Sequence, residues 1–325
     1  MRAITAGEAG GPEVLTLTEV DTPTPGDGEI LVEVVAAGVN RADLMQRQGH
    51  YPPPPGASDV IGLEVSGHVV ALGAGVDDWA VGDPCVALLA GGGYAELVAV
   101  PAGQVLPPPP GFDLVAAAGV IEVAATVHSN LELAHLTAGE VFLVHGGAGG
   151  IGSFAIQYAK ARGATVIATA GSEDKLDYCR GLGADHALSY RDDWVAEVKT
   201  LTDGHGADVI LDPMGAKYLA RHVDVLATNG RLVVIGLQGG TRGELDLSRL
   251  MAKRASITST SLRARPVAEK STICRGVLDR VWPLLADGTI RPTDHQEFPL
   301  AEAAAAHARL ESGDSSGKLI LVVDR

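Results

Sequence analysis

The middle of the chain alternates short apolar runs with amphipathic stretches. The apolar runs have the length of strands that are buried on both faces of a parallel sheet. They cover residues 141–145, 165–169, 186–189, 208–211, 231–235 and 256–260. Helical spacing separates them, as at Ile151, Phe154, Ala155, Tyr158 and Ala159. The pattern predicts an α/β fold in which six parallel strands form a doubly wound sheet.

The first third of the chain has a different pattern. Strand-like runs follow one another with Gly or Pro at the joints and almost no helix between them. They cover Ile4 and residues 16–20, 30–36, 65–72, 84–89 and 94–100. One helical turn is predicted at residues 40–46, and Asp113 is placed to cap a helix in the Ala-rich segment that follows. This predicts a separate β-rich domain of about 120 residues.

The last 60 residues return to a mixed pattern. It predicts a helix at 274–285, a strand at 296–299, a helix at 300–310 and a strand at 318–323. A piece of this size buries too little surface to fold alone, so we expect it to complete the first domain rather than form a third unit. The predicted division is residues 1–122 and 266–325 for the β-rich domain, and 123–265 for the α/β domain.

A glycine cluster follows the first of the six strands. In the spacing G-x-G-x-x-G, Gly147 is expected to form the tight turn, Gly149 to let backbone N–H groups approach a pyrophosphate, and Gly152 to let the helix pack closely on the strand. The anion would then sit on the helix N-terminus. A glycine-rich turn without a ligand is the alternative, but the context of strand, turn, helix and second strand favours dinucleotide binding.

The end of the second strand bears on the choice of cofactor. A carboxylate there would bind the ribose diol of NAD and repel a 2′-phosphate, and residues 169–172 contain none. Glu173 and Asp174 fall in the first turn of the next helix, where acids favour the dipole whatever the function. Lys175 is placed to pair with the phosphate and Tyr190 to cover it, although either side chain can be purely structural. The pattern favours NADPH.

Composition narrows the classes of function. The formal net charge of −15 and the lack of a Lys/Arg run argue against a nucleic-acid partner or an anionic membrane surface. Three cysteines, Cys85, Cys179 and Cys274, provide neither a disulfide framework nor a four-thiolate zinc site. The N-terminal sequence lacks the apolar core of a signal peptide, and no apolar stretch approaches the ~20 residues of a membrane span. We expect a cytoplasmic protein.

Several motifs together resemble a known family. The stretch VNRADLMQRQGHYPPPPGASDVIGLE at residues 39–64, with HGGAGGIG, TAGSEDKL and IGLQGG, is similar to the zinc-free quinone oxidoreductase branch of the medium-chain dehydrogenase/reductase superfamily, and most similar to its p53-inducible NADPH-quinone oxidoreductase group. The resemblance covers essentially the whole chain. It implies a GroES-like catalytic domain with an inserted Rossmann domain, and a homodimer formed through the Rossmann sheets.

The resemblance also implies roles for individual residues. Asn40 and Tyr51 are expected at the nicotinamide and substrate end of the site, as catalytic residues. Besides these two, cofactor contacts are expected from Thr126, Gly147, Gly149, Gly150, Ile151, Gly152, Gly171, Ser172, Lys175, Tyr190, Ile235, Gly236, Leu237, Gly239, Ser261 and Leu262. The group often has a serine in the glycine turn, where this chain has Ala148, so only backbone contacts to the pyrophosphate are expected there.

Metal ligands of the related zinc alcohol dehydrogenases are missing from this sequence. Those enzymes have a Cys before the segment that starts here at Asn40, and Gly-His-Glu where this chain has Gly62-Leu63-Glu64. Glu64 alone cannot provide the three protein ligands of a catalytic zinc, so we predict no metal.

The missing ligands also bear on the substrate. Hydride addition to a ketone leaves an alkoxide whose conjugate acid has a pKa near ~16, whereas addition to a quinone leaves a phenolate near ~10, a difference of roughly 8 kcal/mol. We therefore predict NADPH-dependent quinone reduction, with Tyr51 or Asn40 placed to hydrogen-bond the developing oxyanion. An enoyl-thioester reductase of the same superfamily and a non-catalytic NADPH-binding protein are the alternatives.

Overall fold

The computed structural model describes residues 1–324 and divides the chain into two compact units. The first unit contains residues 1–125, 262–288 and the chain from Pro292 onward. The second unit contains residues 126–261 and the short segment 289–291.

The first unit begins as a succession of strands. Its N-terminal elements are β1 (Arg2–Ala6), β2 (Leu15–Glu19), β3 (Glu29–Val39), α1 (Arg41–Arg47), β4 (Glu64–Leu72), β5 (Pro84–Leu88), β6 (Leu97–Pro101), β7 (Val105–Leu106) and α2 (Leu114–Ala117). Apolar residues alternate along β3, where Ile30, Val32 and Val34 are buried, as expected for a strand with one face on the core. The Asp113 carboxylate accepts from Ala116 N, which confirms the predicted cap of α2.

The second unit contains the predicted parallel sheet. Its elements follow α3 (Ile121–Leu133), which contains the boundary between the two units, and are β8 (Val141–His145), α4 (Gly150–Ala161), β9 (Thr165–Ala170), α5 (Glu173–Gly181), β10 (His186–Ser189), α6 (Trp194–Leu201), β11 (Ala207–Asp212), α7 (Leu219–Val225), β12 (Leu226–Val234), α8 (Leu247–Lys253) and β13 (Ser256–Ser259). The six strands pair in the order β10-β9-β8-β11-β12-β13, and every pair is parallel.

The C-terminal segment belongs to the first unit. It forms α9 (Val267–Arg280), α10 (Trp282–Ala286), β14 (His295–Pro299), α11 (Ala303–Ser312) and β15 (Lys318–Val322). β15 pairs antiparallel with β3, so the sheet has the order β14-β15-β3-β4-β5-β7, with β6 also on β3. Ala303 and Ala306 of α11 pack in the same core as Val32 and Leu319, which is why the tail folds with the first third of the chain.

This architecture confirms the predicted fold class, a β-rich domain combined with a six-stranded doubly wound parallel sheet. By length and composition alone, one helical stretch, Leu114–Leu133, is apolar enough to cross a membrane. Most of it (67% of its apolar window) is buried inside the fold, as is typical of a core helix.

Candidate active site

The glycine turn after β8 lies at the carboxyl edge of the parallel sheet. Gly146 has the left-handed backbone conformation (φ 68°), and Gly147 lies in the tight turn, as predicted: Gly147 and Ala148 are its central residues, and Gly149 N closes it by donating to Gly146 O (3.0 Å). Packing also requires Gly147 to be small. A Cβ there would lie 2.7 Å from Cys179 Sγ and 2.9 Å from Ala168 Cβ, while its N–H donates to Thr169 O at the end of β9.

The first turn of α4 presents the features of an anion site. A Cβ at Gly152 would lie 2.6 Å from the Gly147 Cα, so the helix packs directly on the turn. Gly149 is the N-cap, and a Cβ there would approach only Gly146 O, at 3.5 Å. The amides of Gly150, Ile151 and Gly152 are the first of the helix, where N–H groups lack intrahelical acceptors. These residues fit a pyrophosphate held by backbone groups alone.

The predicted 2′-phosphate residues lie together at the ends of β9 and β10. A Cβ on Gly171 would overlap the Tyr190 hydroxyl where the ring now lies, so the tyrosine packs directly on this glycine. Ser172 is the N-cap of α5, but its hydroxyl makes no capping hydrogen bond. The Lys175 side chain is half-buried in the first turn of α5. Glu173 pairs with Arg180 (2.9 Å), which offsets the charge of the acid nearest to this group.

The loop after β12 is held by the turn after β11. Ile235 N donates to Asp212 O (2.8 Å), and Gly239 N donates to Met214 O (2.7 Å). The Asp212 carboxylate accepts from Met214 N and Gly215 N, and burial raises its pKa to about 6. The predicted residues Gly236 and Leu237 lie in this loop, with Leu237 exposed. The supporting role of Asp212 was not predicted.

Thr126 and Ser261 are brought near each other in the second unit. Thr126 is buried, and its carbonyl accepts from the Asn130 amide (2.7 Å). Asn130 Oδ1 in turn accepts from Thr260 Oγ1 (2.6 Å), the residue before Ser261. Leu262 follows and is the first residue of the returning segment of the first unit.

Two buried histidines lie under the carboxyl edge of the sheet. His145 Nε2 and His222 Nε2 are 2.9 Å apart, and His145 Nδ1 is 2.9 Å from Thr169 Oγ1. Burial lowers the pKa of His222 to about 3 and holds that of His145 well below its usual value, so both rings are neutral. His222 Nδ1 faces Asp212 Oδ2 at 3.6 Å. The chain of contacts thus links the end of β9 to the turn that supports the 235–239 loop.

In the first unit, Asn40 is part of a buried charged cluster. Its Nδ2 donates to Glu64 Oε1 (2.9 Å) and Gly38 O (3.4 Å), while its Oδ1 accepts from Lys318 Nζ (2.8 Å). Lys318 also pairs with Glu64 Oε1 (2.6 Å) and donates to Val39 O. Both amide hydrogens of Asn40 are therefore committed to acceptors within the unit. These contacts do not support Asn40 as a direct oxyanion donor and instead make it a positioning residue.

Tyr51 is held by an arginine that the sequence did not indicate. Arg263 donates from Nη1 to Tyr51 O (3.0 Å), and its guanidinium lies 5.3 Å from the centroid of the Tyr51 ring. It also donates to Ala90 O and to Gln46 Oε1, each at 2.7 Å. Arg263 is buried, and desolvation lowers its pKa from the usual value. The position of Tyr51 is therefore fixed from both its backbone and its ring.

A second buried network lies beside α1. Tyr94 donates its hydroxyl to Asp43 Oδ2 (3.0 Å), and the same carboxylate oxygen accepts from Asn40 N (2.7 Å). The Tyr94 oxygen is 3.1 Å from His307 Nε2, and His307 Nδ1 is 3.5 Å from Arg47 Nη1. Burial raises the pKa of Asp43 to about 7 and lowers that of His307 to about 3. The network anchors the helix that Asn40 caps.

The chain is similar to known proteins over its whole length. Residues 26–110 match the alcohol dehydrogenase GroES-like domain family, and residues 150–278 match the zinc-binding dehydrogenase family. A quinone oxidoreductase of Rattus norvegicus is 32% identical over 99% of this chain and 98% of its own length. The chain belongs to the medium-chain dehydrogenase/reductase superfamily. It is an oxidoreductase of this superfamily, and its quinone oxidoreductase relatives confirm the resemblance that the motifs indicated.

Two further matches bear on cofactor and substrate. A crystal structure of Escherichia coli quinone oxidoreductase complexed with NADPH superposes with a TM-score of 0.88, is 31% identical, and covers 99% of this chain and 100% of that one. A mycocerosic acid synthase-like polyketide synthase of Mycobacterium tuberculosis is 32% identical over 97% of this chain, which corresponds to 15% of that protein. Membership of the superfamily and the first match support a nicotinamide cofactor.

Residues 1–324 contain no group of three or more His, Cys, Asp or Glu side chains that is placed to hold a metal ion. Cys85 is buried, and desolvation raises the pKa of its thiol to about 12, which disfavours the thiolate form that binds zinc. Near Asn40, the partner of the Glu64 carboxylate is the Lys318 ammonium. Arg263 and Lys318 are supporting residues that sequence spacing missed, since each contacts residues far away in the chain. Asp212 was also missed, although its carboxylate accepts from Met214 N and Gly215 N in its own turn.

Proposed function

We propose that this protein is an NADPH-dependent quinone reductase that works without a metal. The observation that carries the proposal is the fixed position of Tyr51, whose ring lies over the buried Arg263 guanidinium. A ring held in this way is suited to pack against a flat substrate. The full-length similarity to quinone oxidoreductases supports the same activity.

The roles of the residues follow from their contacts. NADPH, when bound, supplies the hydride. Arg263 holds Tyr51, and Tyr51 orients the quinone ring. Asn40, fixed by Glu64 and Lys318, shapes the wall of the site instead of donating to the substrate. A hydroquinone anion has a phenol-like pKa near ~10 and takes its proton from water, so neither a Lewis acid nor a buried general acid is needed.

We propose NADPH as the preferred cofactor. The residues at the end of β9 fit a 2′-phosphate, since Gly171 and Ser172 carry no acid and the Ser172 hydroxyl is not used by the helix. Lys175 supplies the positive charge and Tyr190 covers the group. The remaining proposed cofactor contacts come from the glycine turn, Thr126, Ile235 to Gly239, Ser261 and Leu262.

The test is a steady-state absorbance assay with three substrates and two cofactors. We expect 1,4-benzoquinone and 1,2-naphthoquinone to be reduced, faster with NADPH than with NADH, and a crotonyl thioester to react poorly. Metal analysis of the purified protein should find no stoichiometric zinc, and chelators should leave the rate unchanged. One zinc per chain with chelator-sensitive turnover would overturn the metal-free mechanism.

A second candidate is an enoyl-thioester reductase. It is favoured by the match to a polyketide synthase, which is as high in identity as the match to the rat quinone oxidoreductase. Fast turnover of the crotonyl thioester with slow quinone reduction would favour it. If the protein binds NADPH but oxidises it with none of the substrates, the non-catalytic alternative is correct.

We further propose a homodimer formed through the edge of the parallel sheet. β13 is an edge strand, and the neighbouring helix α8 exposes Leu247 (63%) and Met251 (76%). Replacing both residues with Asp should give a monomer in light scattering, whereas Val267→Asp, an exposed apolar position in the first unit, should not.

A cytoplasmic location, without nucleic-acid or membrane partners, remains our expectation from composition and from three free, buried cysteines.

A further inference from the structure

A cavity of about 870 Å³ lies within the first unit. Apolar side chains form much of its wall, among them the buried Leu88, Val98 and Val100 of strands β5 and β6. The volume is that of a site for a drug-sized molecule. Arg263, which holds Tyr51, also lines this cavity, but the proposed reduction places no substrate in it.

Two buried polar side chains line this cavity without partners. Lys270 is only 4% exposed, yet within residues 1–324 its ammonium makes no hydrogen bond and no ion pair with a carboxylate. Gln104 is 1% exposed, and its Oε1 has no hydrogen-bond partner in the same range. Burying the Gln104 oxygen without a partner is costly, and the ammonium of a side chain as little exposed as Lys270 lacks a counter-ion, so each calls for an explanation.

The two side chains belong to neighbouring elements. Gln104 ends the short 3-10 helix Ala102–Gln104, and this helix packs against α9, which carries Lys270. The contact is close, because a Cβ on Gly103 would overlap the Ser271 side chain. One ligand head group therefore has a cation and an amide available on adjoining walls.

The charged side chains that line the cavity restrict the charge of its ligand. Arg263 also lines the cavity, but it already donates to Ala90 O, Tyr51 O and Gln46 Oε1, so Lys270 is the cation available to a ligand. The Lys270 pKa is lowered by burial and by Arg263, and a bound anion would offset both effects. Elsewhere in the lining, Asp21 and Glu29 outnumber the single ammonium of Met1 and disfavour a second anionic group.

We infer that this cavity binds a small monocarboxylic acid with an apolar body and a hydroxyl or N–H group beside the acid. The carboxylate pairs with Lys270, the neighbouring polar group pairs with the Gln104 amide, and the apolar body lies along Leu88, Val98 and Val100. A hydroxy acid of this kind satisfies both unpaired groups at once.

The test is isothermal titration of the full-length protein, with and without NADPH, using 2-hydroxyoctanoate as the probe. Octane-1,2-diol has the same chain and the neighbouring hydroxyl but no charge. We expect saturable one-to-one binding of the acid, and binding of the diol weaker by ~10- to 100-fold, as for loss of a hydrogen bond to a charged group.

Two variants locate the site. Lys270→Met keeps the apolar stem and should weaken the acid ~10-fold or more, whereas Lys199→Met, an exposed lysine of the second unit, should leave it unchanged. Gln104→Glu provides an internal partner for Lys270 and should also abolish binding, which keeps the test valid if Lys270→Met folds poorly. Equal affinities for acid and diol, unchanged binding in either cavity variant, or no binding up to about 5 mM acid would overturn the proposal.

Discussion

Tyr51 and Arg263 are 212 residues apart in the sequence and meet in one contact. The four prolines after Tyr51 restrict its backbone from one side, and Arg263 restricts it through the carbonyl and the ring. At this scale, the ring and the hydroxyl of the tyrosine can be tested separately.

If Tyr51 mainly packs against the substrate, Tyr51→Phe should retain most of kcat with 1,4-benzoquinone, and Tyr51→Ala should lose much of it. Phe keeps the ring area and the ring contact with Arg263, whereas Ala removes both and keeps only the hydrogen bond from Arg263 to the backbone carbonyl. Steady-state kinetics with both variants checks this. A fall of ~10² or more for Tyr51→Phe would instead indicate proton donation, as an enoyl reductase requires.

Lys175→Ala should weaken NADPH severalfold and leave NADH unchanged. A partly exposed lysine paired with a phosphate contributes about 1 kcal/mol, and only NADPH carries that phosphate. Fluorescence titration with both cofactors measures the effect, with Lys199→Ala as the control for charge. Equal losses of affinity for the two cofactors would show that Lys175 does not bind the 2′-phosphate.

At the scale of elements, the Glu64–Lys318 pair connects β4 to β15, the strand that closes the first unit. Glu64 also accepts from Glu122 N near the start of α3. The carboxylate therefore has three kinds of partner, an ammonium, an amide and a backbone N–H. A buried pair of this kind matters most when one member is removed.

Lys318→Met should destabilise the protein by about 3 kcal/mol, because it leaves the Glu64 charge buried without its cation. The double variant Glu64→Gln with Lys318→Met should recover much of the loss, since no charge then remains. Denaturant unfolding followed by circular dichroism measures both. If the loss of stability in the double variant equals the sum of the losses in Glu64→Gln alone and Lys318→Met alone, the pairing argument fails.

The sequence predicted the helices and strands better than it predicted which distant side chains meet in the fold. β8 begins and ends where its apolar run does, because a strand buried on both faces leaves a continuous apolar signal. β10 also has its predicted bounds, although it is an edge strand in which only Leu188 is buried. β12 begins at Leu226, five residues before the predicted start, because Asn229-Gly230 is typical of a turn yet here lies within the strand, next to an irregular register with β11. Periodicity assigns residues to faces, but it does not indicate which distant charge meets Glu64.

At the scale of the whole molecule, the buried histidines and the buried carboxyls have opposite effects on stability as the pH changes. His145, His222 and His307 have pKa values lowered by burial, so the folded state resists their protonation and they destabilise the protein as pH falls below about 6.5. Asp43 and Asp212 have raised pKa values, so the stability that each contributes is fully present at low pH. It is lost as the pH rises toward about 7 for Asp43 and about 6 for Asp212.

Asp43→Asn should isolate one of these effects. In the wild type, the unfolded chain ionises Asp43 from about pH 4 while the folded chain holds the proton until about pH 7. The variant should therefore gain stability relative to wild type by up to about 1.4 kcal/mol per pH unit over that range, with a plateau above it. Urea unfolding at several pH values measures the difference. A difference that does not change with pH would place the Asp43 pKa near its ordinary value.

The place of Lys318 in the chain also has a consequence for synthesis. It lies 254 residues after Glu64, and a ribosome adding roughly 5–20 residues per second needs roughly 13–50 s to cover that distance. Until then Glu64 has no cation, and β3 lacks the neighbour that β15 provides. The second unit is almost continuous in sequence and needs no such delay. Until β15 is made, a nascent chain would therefore carry an open edge on β3 and an acid without its cation on the neighbouring β4, which is the stage at which a chaperone that shields strand edges has most to bind.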